Sequence, residues 1–234
     1  FKMKKMNVFI TKQIPGIGIK LLEEAGCKVT VHNEEEPLPQ EELIRKCKQY
    51  DALISAGFNK IDAHFLEECK HLKVVSLFSV GYDSVDVDAA TRLKIPVGNT
   101  PDVLSRATAD VAFLLMLAVS RKAFFNYKKI LDGKWQGFEP VAHLGQELYG
   151  KTLGVFGLGN IGLEMAKKCR AAFDMKIIYH NRRPNTAAET ALNAEYVSFE
   201  ELLQQSDVLT LHANFTEETK GMFNKEAFLK MRSN

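Results

Sequence analysis

Long apolar runs are missing from this chain. The longest, Val111–Val119, is bounded by Asp110 and Arg121 and falls far below the ~20 residues that a membrane-spanning helix needs. It reads instead as part of a buried helix. Charge of one sign is scarce as well: 31 Lys and Arg stand against 29 Asp and Glu, and no polybasic run stands out. Nucleic acid and membrane surfaces are therefore not expected partners. Cysteine is sparse. Cys27, Cys47, Cys69 and Cys169 are far apart, with no CxxC pair and no Cys/His cluster at metal spacing, which argues against both a disulfide framework and a metal site. Scattered thiols of this kind suit a reducing compartment, and a cytoplasmic location is expected. No signal-peptide pattern opens the chain, and Met3 reads as the natural start, with Phe1 and Lys2 foreign to it.

What is present is a regular alternation of short apolar runs and helical patterns. Strands are expected at Asn7–Thr11, Lys28–His32, Ala52–Ser55, Leu72–Phe78 and Ile95–Val97. Between them lie helical patterns at Gly18–Ala25, Gln40–Lys48, Ala63–Cys69 and Val87–Leu93. Such alternation predicts a parallel, doubly wound sheet. Pro101 closes this unit. A long helix over Val103–Lys122 follows, roughly 30 Å at the α-helical rise; its centre is apolar on nearly every side, so burial against more than one neighbour is expected. A loop-rich stretch, Trp135–Leu148, leads to another alternating unit. There the expected elements are strand Thr152–Phe156, a helix from Ile161, strand Met175–Tyr179, helix Thr186–Leu192, strand Glu195–Val197, helix Phe199–Gln205, strand Val208–His212 and helix Asn224–Met231. The predicted class is α/β with two doubly wound parallel-sheet domains, residues 3–102 and 103–234. The later domain has the pattern of the first half of a dinucleotide fold, with the rest lying beyond residue 234.

That later domain opens on the most informative stretch of the sequence. After strand Thr152–Phe156 come Gly157, Gly159 and Gly162 at G-x-G-x-x-G spacing, then a helix and a further strand. This order is the context in which the spacing signals a dinucleotide site. The first glycine permits a tight turn, the middle one lets backbone amides approach a pyrophosphate, and the third lets helix and strand pack closely. The helix N-terminus presents its amides and positive dipole end to the phosphates. An NAD-specific site places Asp or Glu at the end of the next strand to bind the ribose 2′-OH. This chain has Tyr179, His180, Asn181, Arg182 and Arg183 there. Arginine forks onto a 2′-phosphate, whereas a carboxylate repels it, so NADP is expected rather than NAD. A solvated arginine loop is the alternative. A further constellation, Ser79-Val80-Gly81-Tyr82-Asp83, follows the fourth strand. It reads equally as an anion-binding nest beyond a strand's carboxyl end or as a plain tight turn.

Taken together, LFSVGYDSVDVDAATRLKIPVGNTPDVLSRATADVAFLLMLAVSRK and GKTLGVFGLGNIG resemble the D-isomer-specific 2-hydroxyacid dehydrogenase family. VGYD, TPDVLSRATAD and YHNRR are most similar to its glyoxylate/hydroxypyruvate reductases, and the resemblance runs from about Val8 to the last residue. It implies a flavodoxin-like substrate domain and a Rossmann nucleotide domain entered by the long helix. It further implies that Val80 and Gly81 amides hold the substrate carboxylate and that Thr108 lies near the nicotinamide. Gly157, Leu158, Gly159, Asn160, Ile161 and Gly162 would form the pyrophosphate turn, and Asn181, Arg182 and Arg183 the 2′-phosphate site. His212, Ala213 and Asn214 would border the adenosine side, with Asn214 where relatives usually carry proline. The implied reaction is NADPH-dependent reduction of a small 2-oxo acid, glyoxylate or hydroxypyruvate, and the apolar helix Val103–Lys122 leads us to expect a homodimer of the full-length protein. The family's catalytic arginine, histidine and glutamate match nothing in this chain and are expected beyond residue 234. An NAD-using member, a non-enzymatic corepressor-like relative and an inactive, poorly folding fragment are the alternatives.

Overall fold

The computed structural model describes residues 5–34, 36, 38–137 and 140–233; the proposed start at Met3 lies outside them. The chain divides into two compact units, residues 1–103 and 104–234.

The first unit is a five-stranded parallel sheet. Its strands are β1 (Asn7–Ile10), β2 (Lys28–Val31), β3 (Ala52–Ser55), β4 (Val74–Leu77) and β5 (Val97–Gly98), in the order β2-β1-β3-β4-β5. This is the flavodoxin-like order expected from the sequence. Helices α1 (Gly16–Glu24), α2 (Gln40–Cys47), α3 (Ala63–Glu68) and α4 (Val87–Leu93) connect the strands. The sheet is buried on both faces because its residues alternate between two cores. Phe9, Leu53 and Val75 join Leu43, Phe65 and Ala89 on one side, while Val8, Ile10 and Ala52 meet Ile14 on the other. Helix starts follow local chemistry: the Asp62 carboxylate caps α3 by accepting from the Phe65 amide at 3.0 Å, and Asp86 caps α4 by accepting from Ala89 at 2.8 Å.

The second unit begins with α5 (Ser105–Ser120) and α6 (Ala123–Leu131). It continues through β6 (Thr152–Phe156), α7 (Asn160–Phe173), β7 (Lys176–His180), α8 (Thr186–Leu192), β8 (Glu195–Tyr196), α9 (Phe199–Gln205), β9 (Val208–Leu211) and α10 (Lys225–Lys230). Its four parallel strands run β8-β7-β6-β9. All four are strands expected from the sequence, and the strand order reverses between β6 and β9, so the unit contains the crevice where such sheets bind ligands.

The structure adds a helix that the sequence reading did not place: α6 occupies Ala123–Leu131, set off from α5 by Lys122 in a left-handed conformation, φ 51°. One expectation needs correction, because α5 is not buried all round. Ala109 and Met116 pack with Leu153, Val155 and Met165 in the core of this unit, but Leu114 is 61% exposed and Val119 73%. The apolar residues that suggested several neighbours divide into a face on α7 and a face open to solvent.

Candidate functional site

The β6–α7 turn is shaped by contacts that only glycine permits. Gly157 has φ 96°, and a Cβ there would lie 2.5 Å from the Ala213 amide nitrogen and 2.7 Å from the His212 carbonyl carbon. At Gly162 a Cβ would lie 2.4 Å from the Gly157 carbonyl oxygen. These two glycines therefore close the turn, one against the end of β9 and one within the helix–strand junction. Gly159 differs. It is the N-cap of α7 in extended backbone, φ −89° and ψ −158°, with no side-chain cap, and a Cβ there would meet nothing within 4 Å. Space has been left in front of its backbone, at the helix end that favours anions.

The turn opens onto a cleft of about 960 Å³ lined by Phe156, Gly157, Gly159, His180–Arg183, His212–Asn214 and the segment that follows. Arg182 and Arg183 are exposed, and no hydrogen bond or ion pair engages either guanidinium among the described residues. No carboxylate stands at the end of β7 to repel a phosphate; Glu218 enters the cleft from the loop beyond β9. His212 donates its backbone amide to the Phe156 carbonyl at 2.8 Å, and its Nε2 lies 2.8 Å from Thr210 Oγ1. Burial holds its pKa below the ordinary histidine value, so the ring is neutral at pH 7 and adds no charge to the cleft.

Eight of the residues expected at the cofactor site line this cleft: Gly157, Gly159, Asn181, Arg182, Arg183, His212, Ala213 and Asn214. Asn160, Ile161 and Gly162 form the first turn of α7 beside it. Leu158 does not line the cleft: the whole residue is buried, its amide donating to Asn181 Oδ1 at 2.7 Å and its carbonyl accepting from Asn185 Nδ2 at 3.0 Å. Thr108 is exposed on the first turn of α5 and does not line the cleft. Sequence reasoning missed Phe156, His180, Thr216, Thr219 and Met222. For Phe156 and His180 the signal was available, since each is the last residue of a strand that flanks the crevice.

In the first unit, Val80 and Gly81 follow β4 at its carboxyl end. Ser79 Oγ donates to the Gly81 carbonyl at 2.7 Å, Asn99 Nδ2 donates to the Val80 carbonyl at 2.8 Å, and the Thr100 amide donates to the Ser79 carbonyl at 2.9 Å. The loop's carbonyls are thus occupied internally, and the amides of Val80 and Gly81 donate to no group among the described residues. The turn is thus held by its carbonyls and side chains, with those two N–H groups left over.

The family model described as "D-isomer specific 2-hydroxyacid dehydrogenase, NAD binding domain" matches residues 113–234. The glyoxylate reductase of Pyrococcus furiosus is 42% identical over 232 residues, covering 97% of this chain and 68% of that protein. The chain belongs to the D-isomer specific 2-hydroxyacid dehydrogenase family. It is an oxidoreductase whose cofactor is a nicotinamide dinucleotide. Among solved structures, the TT0316 protein of Thermus thermophilus superposes with a TM-score of 0.89 at 38% identity, covering 97% of this chain and 71% of that one. An acyclic imino acid reductase in complex with NADPH and D-Arg gives 0.85 at 25% identity, with coverages of 97% and 71%. The glycine turn and the β7 end described above are therefore parts of a 2-hydroxyacid dehydrogenase's dinucleotide domain. That assignment fits the space kept in front of Gly159 and the two guanidiniums that have no partner among the described residues.

Proposed function

We propose that this dehydrogenase reduces glyoxylate or hydroxypyruvate with NADPH. The observation that carries the cofactor choice is the pair Arg182 and Arg183 at the end of β7, exposed and without partners among the described residues. Two guanidiniums there complement a 2′-phosphate, while NADH would leave both unpaired. Gly159, Asn160 and Ile161 receive the pyrophosphate at the α7 N-terminus. The loop from His212 to Asn214 borders the adenosine side, and Thr108 stands toward the nicotinamide. The amides of Val80 and Gly81 grip the substrate carboxylate. A two- or three-carbon 2-oxo acid leaves little beyond that carboxylate and its carbonyl to be recognised, which suits a two-amide nest. When bound, the cofactor supplies hydride from the nicotinamide C4 to the substrate carbonyl carbon.

In this reading the arginine, histidine and glutamate of the family's chemistry lie outside residues 1–234. Four of the six histidines are hydrogen-bonded, His64 with Glu41, His71 with the Cys47 carbonyl, His180 with the Val197 carbonyl and His212 with Thr210, and His143 is exposed with its ring 4.7 Å from that of Phe125. His32 is buried. The 234-residue chain is accordingly expected to bind NADPH and to show no glyoxylate-dependent NADPH oxidation, followed by loss of the reduced nicotinamide absorbance. Turnover by this chain would show that one of these histidines is the proton donor.

The solvent-facing side of α5 and α6 supports a homodimer. Leu114, Val119, Phe124, Phe125, Ile130 and Leu131 are each more than half exposed, and large apolar side chains exposed together on two adjoining helices suit an interface. A partner copy of this chain is the occupant we assign, because these apolar side chains lie on two adjoining helices of one unit. Sedimentation velocity should give a dimer that Leu114→Lys with Val119→Lys converts to monomer. A monomeric parent chain would contradict the assignment. The four free thiols fit the cytoplasmic setting assigned to the enzyme.

A further inference from the structure

The loop that carries Arg182 and Arg183 is tied at both ends to a single residue of the glycine turn. At one end, Asn181 Oδ1 accepts from the Leu158 amide at 2.7 Å. At the other, Asn185 Nδ2 donates to the Leu158 carbonyl at 3.0 Å. Leu158 is fully buried, so both groups of its backbone are spent on this loop, and the loop cannot move without breaking them. Two tyrosines reinforce the ties. Tyr196 OH donates to the Asn181 carbonyl at 3.0 Å, and the Asn185 amide donates to Tyr179 OH at 2.7 Å. Tyr179 OH in turn donates to Glu189 at 2.6 Å. Burial and that bond push the tyrosine pKa up to about 12, so it remains a donor throughout the working pH range. Asn185 has a further task as the N-cap of α8, its Oδ1 accepting from the Ala188 amide at 3.1 Å.

We infer that Asn185 is a positioning residue for cofactor discrimination: its bond to Leu158 fixes the arginine-bearing loop against the glycine turn, so that the pyrophosphate and the 2′-phosphate are recognised at a set separation. The inference rests on the proposed NADPH reading of Arg182 and Arg183. Arginine side chains are long and rotamer-rich, and holding one on a phosphate costs entropy. A loop anchored at residues 181 and 185 reduces that cost by fixing where both guanidiniums begin. A free loop would leave the arginines able to reach the phosphate but would not hold them near it.

Asn185→Ser isolates this role. Serine is as good an N-cap as asparagine, so α8 keeps its start, but its hydroxyl is too short to span to the Leu158 carbonyl. Binding of NADPH and NADH to the variant, followed by fluorescence, should show NADPH weakened about tenfold, as one charged-contact geometry is loosened. NADH should change less than about twofold, because it has no 2′-phosphate for the loop to meet. Thermal melting should fall by only a few degrees, the cost of leaving the buried Leu158 carbonyl without its donor, so the cofactor ratio rather than the fold carries the readout. Arg182→Ala separates this inference from the reading beneath it. If Arg182→Ala leaves the NADPH-to-NADH ratio unchanged, the 2′-phosphate assignment itself fails. If Arg182→Ala lowers the ratio and Asn185→Ser does not, the assignment stands and the positioning role fails. The double variant should lose little more than Arg182→Ala alone, since Asn185 acts through the arginine loop; full additivity of the two losses would overturn the inference. Equal weakening of both cofactors by Asn185→Ser would also overturn it, because the bond would then serve the pyrophosphate turn in general.

Discussion

Gly157→Ala is expected to melt well below the parent chain and Gly159→Ala at nearly the same temperature, although both lose dinucleotide binding. The two glycines are two residues apart and face opposite constraints. A side chain at position 157 meets both a left-handed backbone, φ 96°, and an overlap at 2.5 Å with the Ala213 amide. The strained backbone costs about 1–3 kcal/mol and the forced separation of β6 from the end of β9 about 1–3 kcal/mol more. That is a large part of the roughly 5–15 kcal/mol that holds a domain together. Gly150 is the control. It also has positive φ, 68°, but a Cβ there meets nothing within 4 Å, so Gly150→Ala carries only the backbone strain. Thermal melts of the three variants should rank Gly157→Ala lowest, Gly150→Ala next and Gly159→Ala closest to the parent. At Gly159 the backbone is extended and the space open, so the added methyl costs the fold little. It stands instead where the pyrophosphate must approach, and binding should weaken roughly 10- to 100-fold if the ligand cannot shift away, the scale of overpacking a fitted site. A Gly159→Ala chain that binds NADPH normally would remove the turn from the cofactor site.

The other large effect is expected at Arg182. Removing the guanidinium should cost NADPH about 1.5–3 kcal/mol, the scale of a hydrogen bond between charged groups, or roughly 10- to 150-fold in affinity. NADH should be nearly unaffected. The side chain is exposed and without a partner among the described residues, so its loss disturbs nothing in the fold and the binding change can be read directly. The same exposure makes the interaction sensitive to salt, and the advantage of NADPH should shrink as ionic strength rises. Arg182→Lys should recover part of the loss, since a single ammonium keeps the charge but not the fork.

Most of the architecture was legible because each strand is short, apolar and punctuated by polar turns. β3, α4, β6, α8 and α9 span the residues the sequence indicated, and in α4 and α9 the starting signal is a capping side chain, Asp86 and Ser198. The glycine turn was legible for a related reason: the spacing states which residues must lack side chains, and the close approaches at Gly157 and Gly162 bear out those two roles. What escaped were features that depend on tertiary contacts or on unusual backbone. The boundary between α5 and α6 is Lys122 in a left-handed conformation, a residue with no turn signature. The exposed side of α5 has the composition of a core, and periodicity alone does not say which apolar face meets the rest of its own unit. Asn181, expected at the phosphate, also anchors its loop, its side-chain oxygen accepting from the Leu158 amide, a tie that spacing along the chain does not reveal. Asn185 could be read only as the start of α8; its tie to the glycine turn could not, because its partner Leu158 lies 27 residues away in the chain.

The central claim is that the end of β7 selects the phosphorylated dinucleotide. Its most direct test is a pair of titrations of the unmodified chain, NADPH and NADH, at one low salt concentration. The account predicts that NADPH binds at least about tenfold more tightly, the contribution of one charge-assisted contact. Equal affinities, or tighter binding of NADH, would contradict it.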